Sequence, residues 1–180
     1  MTTTQPPASP LPTTRRRTRP TLHPALYLAR TLDRHDRDRA IVAWSEPGTL
    51  LAIPTGQDWD TARMPVATGL AALARLQAEH RPDYLGPVLL DAATEVTYWL
   101  ITRGTAPEHW SALGPGICLL PPGTTVDMPD PSPDRLPPLT TQPEPVRWLH
   151  WPVATSTLTP AVWLASTLTD LAAAPLAGTA

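Results

Sequence analysis

Proline is the feature that most limits how this chain can fold, because 25 of its 180 residues are proline. A proline ring fixes φ and removes the backbone N–H donor, so it resists helix interiors and central strands. The prolines cluster near the N-terminus and between Pro121 and Pro145. We therefore expect an N-terminal arm and a long loop at these two places, with the core built from the remaining residues.

The N-terminal residues 1–22 are predicted to be a disordered basic arm. They consist of Thr, Pro and Gln followed by Arg15, Arg16, Arg17 and Arg19, with few apolar groups to offset the entropy of ordering. Residues 1–40 hold eight arginines and three aspartates, a balance of +5, whereas the remainder stands at −7. This asymmetry indicates either nucleic-acid contact by the arm or association of the arm with the acidic body.

The rest of the chain, residues 23–175, is predicted to be a single α/β (α+β) domain with a small mixed, largely antiparallel sheet and packed helices. An apolar stripe predicts a helix over 24–39, whose charged run from Asp33 to Arg39 is either a solvated helix end or a loop. The clearest helix is predicted from Pro65 to His80, and its buried face consists of Val66, Leu70, Leu73 and Leu76. A last helix begins at Thr159-Pro160.

Strands are predicted from runs of apolar and β-branched residues bounded by Gly and Pro. They cover residues 49–55, 59–64, 86–91, 95–102, 116–120 and 146–152. The third and fourth form a probable pair, because a short turn joins them as in a hairpin. The segment Ile41–Trp44 fits either a short strand or a helix tail, and residues 121–145 are predicted to be a proline-rich loop.

Composition excludes several classes of protein. The apolar fraction of 42% is sufficient for a packed core, and no apolar run approaches the roughly 18 residues of a membrane span. The N-terminus lacks the apolar segment of a secretory signal. The single cysteine, Cys118, excludes an internal disulfide and a cysteine zinc site, and its apolar surroundings favour a buried position. A cytoplasmic protein without membrane contact is the expectation.

Few residues fit a known catalytic or metal-binding pattern. No two of the five histidines have helical metal-ligand spacing, and no serine lies in a nucleophile motif. The glycines of Pro54-Thr-Gly56 and Gly114-Pro-Gly116 match neither the P-loop nor the dinucleotide fingerprint, so we interpret both as turns. No catalytic residue is assigned.

A pair of carboxylates is the best metal candidate. Asp58 and Asp60 flank Trp59, and residues i and i+2 of an extended strand face the same side. Carboxylate oxygens in that arrangement could hold Mg²⁺. A solvated loop that carries two acids is the alternative interpretation.

The arginines and tryptophans allow a nucleic-acid interpretation. Arg15, Arg16, Arg17 and Arg19 could contact phosphates without reading sequence, although a solubilising tail explains them equally well. The seven tryptophans could stack on bases, as beside Arg147 at Trp148. Because the chain has no phenylalanine, we expect most of them to fill the core instead.

Four segments follow one another within residues 44–172. They are Ala52-Ile-Pro-Thr-Gly56, then Asp58-Trp-Asp-Thr-Ala-Arg-Met-Pro65 with Gly69 and its helix, then Glu95-Val-Thr-Tyr-Trp-Leu-Ile-Thr-Arg-Gly104, and finally Gly114-Pro-Gly-Ile-Cys-Leu-Leu-Pro-Pro122 with Arg147-Trp148. In this order they resemble the N-terminal domain of bifunctional DNA primase/polymerases of the archaeo-eukaryotic primase superfamily, in particular its diverged versions from high-GC actinobacteria.

The resemblance implies a domain without the usual catalytic ligands. Active members of that family carry an Asp-X-Asp pair for metal, a histidine in the central strand for nucleotide phosphate, and a further acid. Here the acid positions fall near Arg63 and Pro65, and the central strand reads Thr97-Tyr98-Trp99, without histidine. The late strand has no aspartate before Asp127. The ligands that two-metal phosphoryl transfer requires are therefore missing.

Three hypotheses follow. The first is a non-catalytic primase/polymerase-like domain, without a cofactor, that binds single-stranded DNA or a protein partner in replication or mobile-element biology. The second is a protein-interaction or regulatory module without a nucleic-acid role. The third is an active nucleotidyltransferase that uses Asp58 and Asp60, and only this one requires Mg²⁺.

Overall fold

Helices pack against antiparallel sheets in the computed structural model, which describes residues 24–79, 84–132, 145–151 and 158–174. The helices are α1 (Pro24–Ala29), α2 (Arg34–Ala43), α3 (Val66–Ala78), α4 (Pro107–Ser111) and α5 (Ala161–Ala173). The strands are β1 (Leu51–Pro54), β2 (Asp60–Pro65), β3 (Val88–Asp91), β4 (Val96–Ile101), β5 (Cys118–Leu119), β6 (Thr125–Met128) and β7 (Val146–His150). The predicted mixed α/β class with a largely antiparallel sheet is confirmed.

The larger sheet has five strands in the order β5-β2-β4-β3-β7, and every pair in it is antiparallel. The predicted hairpin is present as β3 and β4, which pair from Val88 opposite Trp99 to Asp91 opposite Val96. A single parallel bridge joins Ile101 to Thr159 just before α5. A smaller two-stranded sheet pairs β1 with β6.

The two faces of the five-stranded sheet belong to two separate cores. One core packs Ala62, Met64, Trp99 and Ile101 of the sheet against α3, α4 and α5. The other face contributes Leu89, Leu100 and Trp148 to a core shared with α1, α2, β1 and β6. Because successive side chains of a strand alternate between faces, the same strands supply both cores.

Five of the seven tryptophans are buried, as expected for a chain without phenylalanine. They are Trp44, Trp59, Trp99, Trp110 and Trp148. Cys118 is only half-buried, because β5 is an edge strand of two residues.

The prediction of one helix over residues 24–39 is wrong, because two separate helices are present. The chain turns after Ala29, and a second helix starts at Arg34. Asp33 caps this second helix through a hydrogen bond from Asp36 N to its carboxylate, at 2.9 Å. The side chain of Arg37 donates to the carbonyls of Ala29, Arg30 and Leu32, which satisfies acceptors at the end of α1. Local side-chain hydrogen bonds therefore stabilise two short helices at an angle.

The predicted helix after Pro65 is present as α3, but its buried face is shifted. Gly69, Ala72, Leu73 and Leu76 are buried, whereas Leu70 is 45% exposed. The absence of a side chain at Gly69 lets the helix lie close to Thr97 of β4.

The proline-rich segment contains a strand that the sequence analysis assigned to loop. Residues Thr125–Met128 form β6 between Pro122 and Pro129, with Val126 and Met128 buried. Backbone pairing with β1 offsets the local effect of the prolines, since none of them lies inside the four paired residues.

Candidate functional site

Asp58 lies outside the strand on which its pairing with Asp60 was expected. It stands in a bend before β2, and its Oδ2 lies 3.0 Å from Nε of Arg30, in the turn after α1. The contact is an ion pair without the alignment of a hydrogen bond. Both side chains are more than one third exposed, so the pair contributes about 0–1 kcal/mol.

Asp60, the first residue of β2, faces a different partner. Its Oδ2 accepts a hydrogen bond from the backbone N–H of Gly104 at 3.1 Å. Next to it, Arg103 donates to the carbonyl of Gln57 at 2.7 Å. The carboxylate thus helps to tie the loop after β4 to the bend before β2.

A small aromatic cluster surrounds the Asp58 ion pair. The rings of Tyr27 and Trp59 stack with centroids 5.8 Å apart, and the guanidinium of Arg30 lies 4.2 Å from the centre of the Tyr27 ring. Burial raises the pKa of Tyr27; Arg30 opposes this increase and Asp58 adds to it. The Tyr27 hydroxyl and Trp59 Nε1 are buried without a hydrogen-bond partner. The cluster is held by packing and charge, and it uses Asp58 as a structural counter-ion.

The donor set does not fit a two-metal site. Among the described residues, no three His, Cys, Asp or Glu side chains come together in a group that could hold a metal ion. Asp58 and Asp60 have separate partners, in the turn after α1 and in the loop after β4. The Mg²⁺ interpretation of this pair therefore gains no support from its geometry.

The Thr-Gly turn after β1 is a packing junction. Gly56 has φ +89°, and a Cβ there would lie 2.6 Å from Cα of Pro122. Thr55 N donates to the carbonyl of Thr124, and Gly123 N donates to the carbonyl of Thr55. The glycine allows β1 to pass close to the turn before β6, as the interpretation of Pro54-Thr-Gly56 as a turn requires.

Residues that are not typical metal ligands occupy the positions at which the resemblance to primase/polymerases predicts metal and phosphate ligands. Pro65 ends β2, and Thr97 is fully buried against Gly69. Arg63 is half-buried and lies directly opposite Tyr98 on one side and Cys118 on the other. Of these positions, only Arg63 offers a charged group.

A transverse row of side chains crosses the sheet at Arg63. We call it the Arg63 row, and its members in strand order are Cys118, Arg63, Tyr98, Leu89 and Trp148. Direct neighbours across antiparallel strands have Cβ atoms about 4.5–5.5 Å apart. The row has a buried end, Leu89 and Trp148, and a half-buried end, Cys118, Arg63 and Tyr98. The row therefore ends in an accessible polar segment.

Arg63 has no acceptor within the described ranges. Its side chain forms no ion pair or hydrogen bond with any residue there. Its neighbours along β2 on the same face are Thr61 and Pro65, and Val96 and Leu100 lie diagonally on β4. None of these positions is acidic, so the guanidinium has no carboxylate beside it.

Sequence patterns did not predict that Arg63 and Tyr98 are neighbours in the sheet. Each appeared in a separate strand prediction, and only the register of β2 against β4 places them side by side. Alternating burial could have assigned both to the same type of face, but no local pattern fixes the register between two distant strands. The arm arginines Arg15, Arg16, Arg17 and Arg19 lie outside the described residues.

In the described ranges, no helix has both the length and the apolarity needed to cross a bilayer. Comparisons of the chain with family models, with curated proteins and with solved structures gave no match. Function must therefore be argued from the residues themselves.

Proposed function

We propose that this chain is a non-catalytic primase/polymerase-like domain that binds single-stranded nucleic acid. The proposal depends most on the division of charge along the sequence. Residues 1–23 carry four arginines and no acid, whereas the described residues carry eight arginines and thirteen acids. A short basic arm on an acidic body favours binding in which the arm neutralises phosphates and the body repels non-specific contact.

The partners of Asp58 and Asp60 support the non-catalytic part of the proposal. Metal-assisted phosphoryl transfer requires carboxylates that converge on one ion. These two are directed at Arg30 and at the N–H of Gly104. A structural role explains both acids without a metal.

The test is the affinity of the full chain for a fluorescent oligothymidylate, measured by anisotropy over a range of salt concentrations. Each phosphate neutralised on a single strand contributes about 0.7 to the slope of log K against log salt. We expect the fourfold variant Arg15→Ala, Arg16→Ala, Arg17→Ala and Arg19→Ala to lower the slope by about 3. Absence of measurable binding by the wild-type chain at low salt would overturn the proposal.

Catalysis is tested separately by template-dependent nucleotide incorporation with Mg²⁺ or Mn²⁺. We expect none from the wild-type chain. Incorporation that is lost in Asp60→Ala would instead support an active nucleotidyltransferase. Asp127→Ala is a suitable control, because Asp127 is exposed on β6 and is paired in register with Ala52 of β1.

A protein-interaction module is the second candidate, and an exposed apolar patch favours it. Val162 is 69% exposed and Tyr84 is 55% exposed. The ring of Tyr84 contacts Trp163 edge-on at 5.0 Å, and Val162 precedes Trp163 in the first turn of α5. Contiguous exposed apolar groups often mark a protein contact. Loss of a partner on Val162→Asp, with nucleic-acid binding absent in the wild type, would favour this candidate.

A further inference from the structure

We infer that Arg63 and Tyr98 form a second nucleic-acid contact on the body, in which the guanidinium binds a backbone phosphate and the phenol ring stacks on the adjacent base. This inference rests on the proposed function, but it assigns a site on the folded domain that is separate from the arm.

The guanidinium of Arg63 is not paired with any side chain of the described ranges. A guanidinium carries five N–H donors in a fixed fork and is always protonated. No nitrogen of Arg63 is buried without a partner, so water solvates the fork and a phosphate could replace that water. Within the described ranges Arg63 has no carboxylate acceptor, in contrast to Arg75, whose Nε lies 2.8 Å from Oε1 of Glu79.

The second argument is the local absence of competing acids. The nearest acid on the same face in the strand register is Asp91, which is paired with Val96 in the next row. Its carboxylate already accepts from the N–H groups of Ala93 and Thr94 and from Oγ1 of Thr94. The domain is acidic as a whole, but the face around Arg63 is not.

The third argument is the aromatic neighbour. Tyr98 is directly opposite Arg63, is half-buried, and packs against the core that the sheet shares with α1 and α2. A ring fixed in this way loses little entropy when a base stacks on its accessible part. A phosphate and its base are separated by a few ångströms in a single strand, and a cross-strand pair about 5 Å apart matches that spacing.

The partner that fits is a flexible single strand rather than a duplex. A base can stack on a side chain only when it is not already stacked and paired in a helix. A free carboxylate or inorganic phosphate would satisfy Arg63 but would leave Tyr98 without a role. The paired geometry therefore favours single-stranded nucleic acid without sequence preference.

The experiment uses the full chain and the same labelled oligothymidylate. We expect Arg63→Gln to weaken binding by about threefold to tenfold and to lower the salt slope by about 0.7, whereas Arg63→Lys retains most of the slope. We expect Tyr98→Leu to weaken binding by about tenfold and Tyr98→Phe to leave it unchanged, because the ring is what stacks. Arg147→Gln is the matched control, since Arg147 is exposed on β7 opposite Leu90 and belongs to the other face of the sheet. It should change the affinity by less than about twofold.

The outcomes separate this inference from the proposed function. If the arm variant loses affinity while Arg63→Gln and Tyr98→Leu bind as tightly as the wild type, the body contact is refuted and the proposed function stands. If the wild-type chain does not bind, both fail. An equal loss in Arg147→Gln would assign the effect to total charge and refute the site.

Cross-linking gives a readout that a purely structural role would not produce. A bromodeoxyuridine oligomer irradiated with the full chain should attach to the peptide that contains Tyr98, as identified by mass spectrometry. Attachment only to peptides outside β2 and β4 would contradict the inference even if a Gln or Leu variant folds poorly.

Discussion

Gly69 of α3 lies against Thr97 of β4 without space for a Cβ between them. A Cβ at position 69 would lie 2.8 Å from Cγ2 and 2.9 Å from Cβ of Thr97, and it would overlap Oγ1. This contact sets how closely α3 approaches the sheet.

We expect Gly69→Ala to destabilise the domain although alanine is the better helix former. Alanine gains about 1 kcal/mol of helix propensity over glycine, whereas overpacking costs about 1–3 kcal/mol and here involves three atoms of one residue. A net loss of about 1 kcal/mol in the free energy of unfolding should appear in urea titrations. In a double-mutant cycle, Thr97→Ala should recover part of the loss. A stabilised Gly69→Ala variant would refute the close approach.

Thr97 itself carries a buried hydroxyl without a hydrogen-bond partner. An unsatisfied buried polar group costs about 1–3 kcal/mol, so its removal should offset part of the packing lost with the methyl group. We expect Thr97→Ala to be at least as stable as Thr97→Ser, which loses the same methyl group but keeps the hydroxyl. Thermal unfolding of the two variants compares them directly. A clearly more stable serine variant would show that the hydroxyl finds a partner.

Gly56 combines a left-handed backbone with a close neighbour. Its φ is +89°, and a Cβ would lie 2.6 Å from both Cα and Cβ of Pro122. We expect Gly56→Ala to cost about 2–4 kcal/mol of unfolding free energy, from backbone strain and from the clash. Gly123 is the matched control, because it has φ +85° but nothing within 4 Å of its Cβ position. Gly123→Ala should cost only the backbone part, about 1–2 kcal/mol. Equal losses of stability in Gly56→Ala and Gly123→Ala would show that the contact with Pro122 contributes nothing.

His150 makes stability depend on pH. Burial lowers the pKa of its imidazole below the ordinary value of 6.5, and the hydrogen bond with the carbonyl of Gly86 opposes that decrease only in part. Because the folded state then binds fewer protons than the unfolded chain near that pH, stability is complete above 6.5 and decreases as the pH falls through the lowered pKa. We expect the unfolding midpoint in urea to decrease as the pH falls below 6.5. The variant His150→Gln should flatten this part of the profile, whereas His109→Gln, at an exposed position, should not.

Local sequence patterns predicted most of the elements that depend on neighbours in the chain. The hairpin from Val88 to Ile101 and the helices after Pro65 and Pro160 were expected, because a turn, a proline and an apolar period mark each of them. The break between α1 and α2 was missed, although Asp33 is a typical N-cap residue whose carboxylate accepts from a backbone N–H three residues later.

Elements defined by distant partners could not be predicted in the same way. In β6, Val126 and Met128 alternate with exposed residues, but prolines on both sides concealed the pattern, and the strand exists because it pairs with β1. The candidate site has the same origin. Arg63 and Tyr98 are 35 positions apart in the sequence. They are neighbours only because of the register of β2 against β4, which sequence periodicity does not specify.

The partnership of β1 with β6 has a consequence for the order in which the chain can assemble. Leu51 pairs with Met128, so β1 has no strand partner until a ribosome has synthesised more than 70 further residues. Only β3 and β4 are joined by a short turn, whereas β7 must return to β3 from more than 50 positions away. Chains dominated by such distant pairings fold slowly and expose unpaired edges while they wait. The apolar residues of β1 therefore remain available to chaperones, or to the same segment of another nascent chain, until β6 has been synthesised.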